Sequence, residues 1–359
     1  MSEMRTMLVS SMERLLATEC APEVVNAAEK GEWPAKLWQA LVDAGMTRAW
    51  LPEADGGSGV GLGDVLAVLR AAGRHAAPVP LAETLLAGWL LSSSGMEVPD
   101  GPLTVAPVRA RERLTLKKSG KGWTLTGAAG GVPWGGQAAH RVAIAWAGRQ
   151  EYVVRIDGSA GKVRSARNLA GEPRDDLTFA GVALGADAVV KAPAGVSQGE
   201  LFRRGALARA ALMAGATEKA MAHSLRYANE RVQFGKPIGK FQSVQQQLAL
   251  MSGEVAAACI AVEAAGASAG SGLAETACAK VRVGEAAGVA AALAHQIHAA
   301  IGVTFEHTLH HSTRRLWSWR EEFGAETDWA GYLGNWLIDI GAEGLWPAMT
   351  NQTGIPVAA

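Results

Sequence analysis

The chain has 359 residues, with 34 basic and 34 acidic side chains and an isoelectric point near 7.1. This balance excludes the strong net charge of proteins that bind nucleic acid or anionic membranes, so we expect no nucleic-acid partner. Cys20, Cys259 and Cys278 are far apart and outside any CxxC pair, which argues against a disulfide framework and predicts a reducing compartment. We find no secretory signal pattern and no uninterrupted apolar run of about 18 residues, so we expect a cytoplasmic protein without a membrane span.

Three segments of different periodicity follow one another along the chain. Helical spacing dominates residues 1–100, β-like runs separated by glycine turns fill residues 101–192, and helical spacing returns in residues 193–359. The β-like runs read LTLKK, GWTLTG, RVAIAW, EYVVRI and LTFAGVAL, and they predict a small sheet or barrel. The chain is therefore predicted to have an α+β fold, with an N-terminal helical domain, a middle β domain and a C-terminal helical domain.

Two local motifs admit more than one interpretation. Residues 195–199 match the G-x-S-x-G pattern of a hydrolase nucleophile elbow, but the helical pattern that follows favours Ser197 as an N-cap with Glu200 as its capping-box partner. His307, His310 and His311 also cluster, and the first and last have the spacing of metal ligands on one helix. Since no facing carboxylates are evident, we interpret these histidines as a partly exposed helix face and predict no metal site.

The most informative segment is residues 227–251, where a short loop interrupts two helical patterns. This loop brings together Arg231, Gln233, Phe234 and a glycine/proline turn. One interpretation is a helix C-cap followed by a turn, because a cation suits the negative end of a helix. The other is a binding loop, in which a planar guanidinium and an amide contact a diphosphate while an aromatic ring packs on a flat ligand. The residue chemistry alone leaves the two interpretations open.

The loop resembles the second-helix motif of the acyl-CoA dehydrogenase family. The matching positions are Tyr227, Glu230, Arg231, Gln233, Phe234, Gly235, Lys236, Pro237, Ile238, Phe241 and Gln242. The first helical domain of the family is matched at Trp38, Gly45, Leu51, Pro52, Glu53, Gly56, Gly57, Gly59, Gly73 and Pro78, and its flavin-adenosine segment at Gln296, His298, Gly302, Thr304, Glu306 and Arg314. The resemblance thus extends over most of the chain.

The resemblance implies a fold, a cofactor and its contacts. The C-terminal domain should be an antiparallel four-helix bundle, and the cofactor should be FAD. Arg231 and Gln233 should bind the FAD diphosphate of a neighbouring subunit. The adenine side should be lined by Phe234, Ile238, Phe241 and Val244, and further cofactor contacts should come from Gln296, Ile297 and Ala300.

The resemblance also implies a reaction, α,β-dehydrogenation of an acyl-CoA thioester to the trans-2-enoyl-CoA. A carboxylate base removes the α-proton, and flavin takes the β-hydride. At the usual base position this chain has Phe323, with Glu322 one residue away, and the alternative position near Gly205 is flanked by Arg203 and Arg204. Glu322 is therefore our candidate for the catalytic base.

The flavin-ring half of the site departs from the family pattern. Val132, Pro133 and Trp134 replace an aromatic residue followed by threonine, and Ala299 and Ala300 replace a glycine pair. Our first hypothesis is a non-catalytic subunit of an α2β2 dehydrogenase for a bulky, steroid-like acyl-CoA, with electron-transferring flavoprotein as acceptor. The alternatives are a homotetrameric dehydrogenase that uses Glu322 and a flavin-free scaffold.

Overall fold

The computed structural model describes residues 3–267 and 272–350. Helices lead, strands follow and helices return, so the predicted fold class is confirmed. The N-terminal helices are α1 Glu3–Glu19, α2 Pro22–Lys30, α3 Ala35–Asp43, α4 Leu62–Arg74 and α5 Leu81–Ser93. The strands of the middle segment are β1 Leu103–Ala106, β2 Leu114–Ser119, β3 Gly122–Pro133, β4 His140–Ala147, β5 Gln150–Asp157, β6 Lys162–Arg164, β7 Arg174–Leu184 and β8 Val189–Lys191. The remaining elements are α6 Gln198–Glu230, β9 Val232–Gln233, β10 Lys236–Pro237, α7 Gln242–Ala267, α8 Leu273–His298, α9 Leu309–Arg320 and α10 Glu326–Thr350.

The middle segment forms one eight-stranded sheet. Seven strands follow the order β6-β7-β3-β2-β4-β5-β8, and β1 pairs in parallel with β4. Apolar side chains on alternate positions form its core, including Leu116, Leu125 and Phe179. The five runs expected from the sequence are β2, β3, β4, β5 and β7, whereas β1, β6 and β8 carried too little pattern to be predicted.

The contacts divide the chain into two compact units. The helical unit comprises Met1–Val25, Leu62–Ala77 and Ala206–Ala359, and the sheet unit comprises Asn26–Gly61 and Pro78–Gly205. This grouping by contact does not test the predicted boundaries of the three domains. Five helices, α6 to α10, lie in the described part of the C-terminal segment, where the resemblance implied a four-helix bundle.

In the helical unit, glycines allow α4 and α6 to pack with their backbones in contact. A β-carbon on Gly73 would overlap the Leu212 carbonyl oxygen, and one on Gly215 would overlap the carbonyl oxygen of Arg70. Only glycine fits at such a distance. An ion pair between Arg70 Nη2 and Glu218 Oε1, 2.5 Å long, joins the same two helices.

Helix α7 and the stretch Leu273–Val303 are long and apolar enough, by length and composition, to cross a membrane. Core helices of soluble proteins pass the same weak test, and here α7 packs along α8. The expectation of no membrane span stays a prediction.

The start of α6 tests the interpretation of Ser197. The Glu200 N–H donates to Ser197 Oγ at 3.0 Å, so Ser197 is the N-cap and the capping interpretation is confirmed. The reciprocal half of a capping box is replaced, because the Glu200 carboxylate accepts hydrogen bonds from Arg203 and Arg204 at 2.6–2.8 Å.

The interpretation of the histidine cluster as a partly exposed helix face is wrong. His310 and His311 are only 7% and 5% exposed. His307 precedes α9, which begins at Leu309, so His307 and His311 do not share a helix face. The three rings lie where the chain enters α9 rather than along one side of it.

Candidate functional site

The predicted binding loop is a β-hairpin between α6 and α7. Gln233 pairs with Lys236, which leaves Phe234 and Gly235 as a two-residue turn. Their φ angles are 52° and 76°, and positive φ at both central residues is the pattern of a type I′ turn. Arg231 joins the hairpin to α6, since its N–H donates to the Tyr227 carbonyl at 2.8 Å. The two flanking helices are confirmed.

The chemically active side chains of the hairpin are exposed. Arg231 and Gln233 are exposed, and Phe234 is 92% exposed. Within residues 3–267 and 272–350 the structure forms no ion pair to Arg231. Phe234 meets the ring of Phe241 edge to face at 6.1 Å, and Lys236 Nζ lies 4.6 Å from the centre of that ring. A guanidinium and an amide held this way can bind a diphosphate that approaches from outside the chain.

Half-buried apolar residues continue the hairpin into the first turn of α7. They are Ile238, Phe241 and Val244. Together with Phe234 they offer an apolar surface of the kind that packs on an adenine or flavin ring.

The second resembling segment lies at the end of α8. Gln296 and Ala300 are exposed, whereas Ile297 is 5% exposed and belongs to the core of this chain. The ring of His298 stacks on Tyr227 with centroids 4.7 Å apart. Burial is the main cause that lowers the pKa of His298 below its ordinary value. The stack joins the end of α8 to the end of α6, the helix that leads into the hairpin.

The backbone at Ala299 is unusual. Its φ and ψ are 52° and −139°, a region that glycine adopts freely and alanine rarely. The position therefore keeps a glycine-like backbone although the side chain is alanine.

The candidate base Glu322 lies in an ion pair. Its Oε2 is 2.5 Å from Nε of Arg209, a residue on α6 that is 1% exposed. The Arg209 guanidinium also lies 5.5 Å from the ring centre of Phe323, the residue at the usual base position. Phe323 is 3% exposed and has a φ of 54°. Sequence reasoning missed Arg209, and the available signal was an arginine within an otherwise apolar stretch of α6.

A buried lysine lies near the same ion pair. Lys280 Nζ donates to the Arg320 carbonyl at 2.6 Å, and burial lowers the pKa of Lys280 to about 8. The carboxylates of Glu326 and Glu322 oppose that shift. The surroundings of Glu322 thus contain two buried cations.

The alternative base position near Gly205 belongs to the sheet unit. Glu200, the nearest carboxylate along the chain, pairs with Arg203 at 2.7 Å and with Arg204 at 2.6 Å. The Arg204 guanidinium lies 4.2 Å from the ring centre of Trp89. This carboxylate is held by two arginines.

Trp134, one of the residues at the expected flavin-shielding position, lies in the sheet unit. It is 5% exposed and packs under the Arg174 guanidinium, which is 5.0 Å from its ring centre. In this chain its indole is part of the interior.

Two family models match the chain. The model of the acyl-CoA dehydrogenase N-terminal domain matches residues 2–98, and that of the C-terminal domain matches residues 195–325. The chain belongs to the acyl-CoA dehydrogenase family. The matched parts include α1 to α5, the hairpin, the end of α8 and the Arg209–Glu322 pair.

Relatives within the acyl-CoA dehydrogenase family include proteins of similar length. Acyl-CoA dehydrogenase IpdE2 of Mycolicibacterium smegmatis is 29% identical over 314 residues, which cover 86% of this chain and 91% of that one. A solved variant of the steroid ACAD Tcur3481-Tcur3483 is 28% identical with a TM-score of 0.84, covering 95% of this chain and 99% of that one. The ChsE4-ChsE5 complex from Mycobacterium tuberculosis shares the fold, at 24% identity and a TM-score of 0.88 over 95% of this chain and 99% of that one.

Proposed function

We propose that this chain is a subunit of an FAD-dependent acyl-CoA dehydrogenase in which a different polypeptide supplies the catalytic base and the flavin-ring pocket. The hairpin of this chain contacts the cofactor across the subunit boundary. The assembled enzyme converts a bulky, steroid-like acyl-CoA to its trans-2-enoyl-CoA.

The ion pair between Arg209 and Glu322 is the observation that carries this proposal. A general base must reach the α-carbon of the substrate and accept its proton. Glu322 is instead held at 2.5 Å by a guanidinium that is 1% exposed. Releasing the carboxylate would weaken a charge pair that is largely removed from water, which costs about 3–5 kcal/mol in comparable buried pairs.

The hairpin fits the diphosphate of FAD. Arg231 and Gln233 are exposed and would hold the phosphate oxygens, and Phe234 would pack on a flat ring of the cofactor. When bound, FAD supplies the hydride acceptor of the reaction. The residues of this chain then bind and orient the cofactor, and the proton is taken by the partner polypeptide.

The substrate class and the hetero-oligomer rest on the relatives. Tcur3481-Tcur3483 is a steroid ACAD named by two components, and it is similar to this chain over nearly its full length. We propose the same division between two polypeptides here, with electron-transferring flavoprotein as the electron acceptor.

Coexpression tests the proposal. The chain is purified alone and together with candidate acyl-CoA dehydrogenase subunits from the same genome, and bound flavin per chain is measured by absorbance. We expect little flavin on the isolated chain and a large increase in the copurified complex. Arg231→Met should remove most of that flavin, whereas Lys162→Met, an exposed lysine on β6, should leave it unchanged. An isolated chain that binds a full complement of flavin and oxidises acyl-CoA overturns the proposal.

Glu322→Gln in the coexpressed complex separates the proposal from a self-sufficient homotetramer. If the partner supplies the base, turnover should stay within a few-fold of the parent enzyme while the melting temperature falls, because the Arg209 ion pair is lost. If Glu322 is the base, turnover should fall by about 100-fold to 10,000-fold. Purified protein that stays colourless with FAD and every partner added would instead favour a flavin-free scaffold.

A further inference from the structure

A small cavity lies within the helical unit, among the end of α1, α4, α6 and the start of α9. Its volume is about 90 Å³, and polar side chains on its wall include Cys20, Arg74, Lys219, His223, Thr308 and Ser312. A single water needs roughly 15 Å³ by such a measure, so the cavity has room for a small polyatomic ligand. Typical sites for drug-sized ligands start at about 300 Å³, so a nucleotide is too large.

Lys219 brings a half-buried cation to the wall of this cavity. Within the described part of the chain its ammonium group forms no ion pair. The pKa of Lys219 is lowered, first by burial and then by the positive charges of Arg226 and Arg74, while the Glu13 carboxylate opposes the shift only in part. An anion bound in the cavity would offset both the burial of the Lys219 ammonium and its repulsion by the neighbouring positive charges.

His223 supplies a hydrogen-bond donor without an acceptor. Its Nδ1 is 3.3 Å from Nη2 of Arg226, and because a guanidinium only donates, Nδ1 is the acceptor of that bond. The proton of the neutral ring is therefore on Nε2. That atom is buried and has no hydrogen-bond partner among the described residues, in a side chain whose residue is 6% exposed. Burial lowers the pKa of His223 to about 3, so the ring stays neutral near pH 7.

The charges around the cavity are mostly positive. Arg74 lines it directly, although Arg74 also lies 3.2 Å from Glu218 and 3.7 Å from Glu13. The charges of Arg315 and Lys219 act on the Cys20 thiol, whose pKa burial raises to about 12. The hydroxyl groups of Thr308 and Ser312 add neutral donors. The wall therefore offers ammonium, guanidinium, imidazole N–H and hydroxyl donors, the set that oxyanions bind.

We infer that this cavity is a binding site for a small tetrahedral oxyanion, phosphate or sulfate. The ammonium of Lys219 neutralises the charge, and the N–H of His223 and the hydroxyls donate to the oxygens. The site is separate from the hairpin, because none of its residues belongs to β9, β10 or the turn between them.

Binding of labelled inorganic phosphate to the full chain tests the inference. Equilibrium dialysis in MOPS buffer, with sodium chloride keeping the ionic strength constant, should show saturable binding of one phosphate per chain. Sulfate should compete, and chloride should not. Thermal unfolding in the same buffers should show a melting temperature that rises by about 2 °C or more at saturating phosphate.

Variants locate the bound ion. Lys219→Met should weaken phosphate binding at least tenfold, whereas Lys162→Met should leave it unchanged. Arg231→Met distinguishes the cavity from the hairpin, which the proposed function assigns to a diphosphate, and phosphate binding that Arg231→Met abolishes while Lys219→Met retains it also overturns the inference. Lys219→Arg keeps the cation and should retain binding, which guards against a Lys219→Met chain that fails to fold. The inference is overturned if the parent chain shows no saturable binding, or if Lys219→Met binds phosphate as the folded parent does.

Discussion

At the scale of single residues, Ala299 has a backbone conformation that its side chain disfavours. A φ of 52° with a ψ of −139° costs a non-glycine residue on the order of 1–3 kcal/mol. In the family that the chain resembles, this position holds a glycine, and the φ and ψ angles of Ala299 are ones that glycine adopts readily.

Ala299→Gly should therefore stabilise the isolated chain. We expect the free energy of unfolding to rise by about 1 kcal/mol, because relief of strain exceeds the added entropy of the unfolded glycine. Urea unfolding followed by circular dichroism measures this change. Ala300→Gly is the matched control, and it should lower stability by about 0.5–1 kcal/mol, since Ala300 has no positive φ to relieve. Equal effects of the two changes would contradict the strain argument.

The sequence alone singled out the exposed hairpin as a candidate site, but it did not reveal the buried contacts around Glu322. Arg231 and Gln233 stood out because a short stretch combined their side chains with a turn, a signal local in sequence. The partner of Glu322 could not be found in this way, because Arg209 is distant along the chain and one sequence does not show which residues of two helices meet. The backbone at Phe323, with a φ of 54°, also followed no pattern in the side chains.

At the scale of elements, the β9–β10 hairpin holds an aromatic residue where turns favour small ones. Type I′ turns favour Asn-Gly, and this turn has Phe234 followed by Gly235. In the isolated chain Phe234 is 92% exposed, so its ring gains little from burial. A residue that suits the turn poorly and gains little in the isolated chain fits a role in contact with a ligand.

Phe234→Asn should separate the stability of the turn from its proposed function. The chain alone should be as stable as the parent or more stable by about 0.5 kcal/mol, because asparagine adopts positive φ readily. In the coexpressed complex, flavin retention should fall several-fold as the ring contact is lost. Leu169→Asn, which also removes an exposed apolar side chain, should leave flavin retention unchanged. Retained flavin with Phe234→Asn would show that the ring has no part in cofactor binding.

Secondary-structure elements were predictable from the sequence where they were long enough to show a repeating pattern of apolar residues. Strands β2 to β5 and β7 have six or more residues and were found from their alternation or apolar runs. Strands β6 and β8 have three residues each, and β1 has four that are all buried. Such short strands are fixed by the neighbours that pair with them, a contribution from the rest of the fold that local pattern does not carry.

At the scale of the whole molecule, large apolar side chains remain on the surface of the C-terminal segment. Ile338, Val303, Phe305 and Trp346 are 70–79% exposed. Apolar surface of this kind favours association with another chain. These exposed side chains therefore support the proposal that the chain works in a hetero-oligomer.

Two buried imidazoles in the helical unit make the stability of the fold depend on pH. His223 and His311 are 6% and 5% exposed, and burial lowers the pKa of each to about 3. In the unfolded chain both should titrate near the ordinary value of about 6.5. Between these values the unfolded state binds protons that the folded state does not, so stability falls as pH falls from about 6.5 toward 3.

The slope of stability against pH should thus reach about 1.4 kcal/mol per pH unit for each of these imidazoles. Urea unfolding at pH 7, 6 and 5, in buffer free of phosphate and sulfate, measures it. His223→Gln should reduce the slope by about 1.4 kcal/mol per pH unit, the contribution of one proton, because glutamine does not titrate. Ser224→Ala, at the neighbouring buried position, loses a hydrogen bond to the Ala220 carbonyl and should lower stability equally at every pH. If His223→Gln shifts the whole curve without changing its slope, then His223 binds its proton over the same pH range in the folded and the unfolded chain, and burial does not keep its ring neutral.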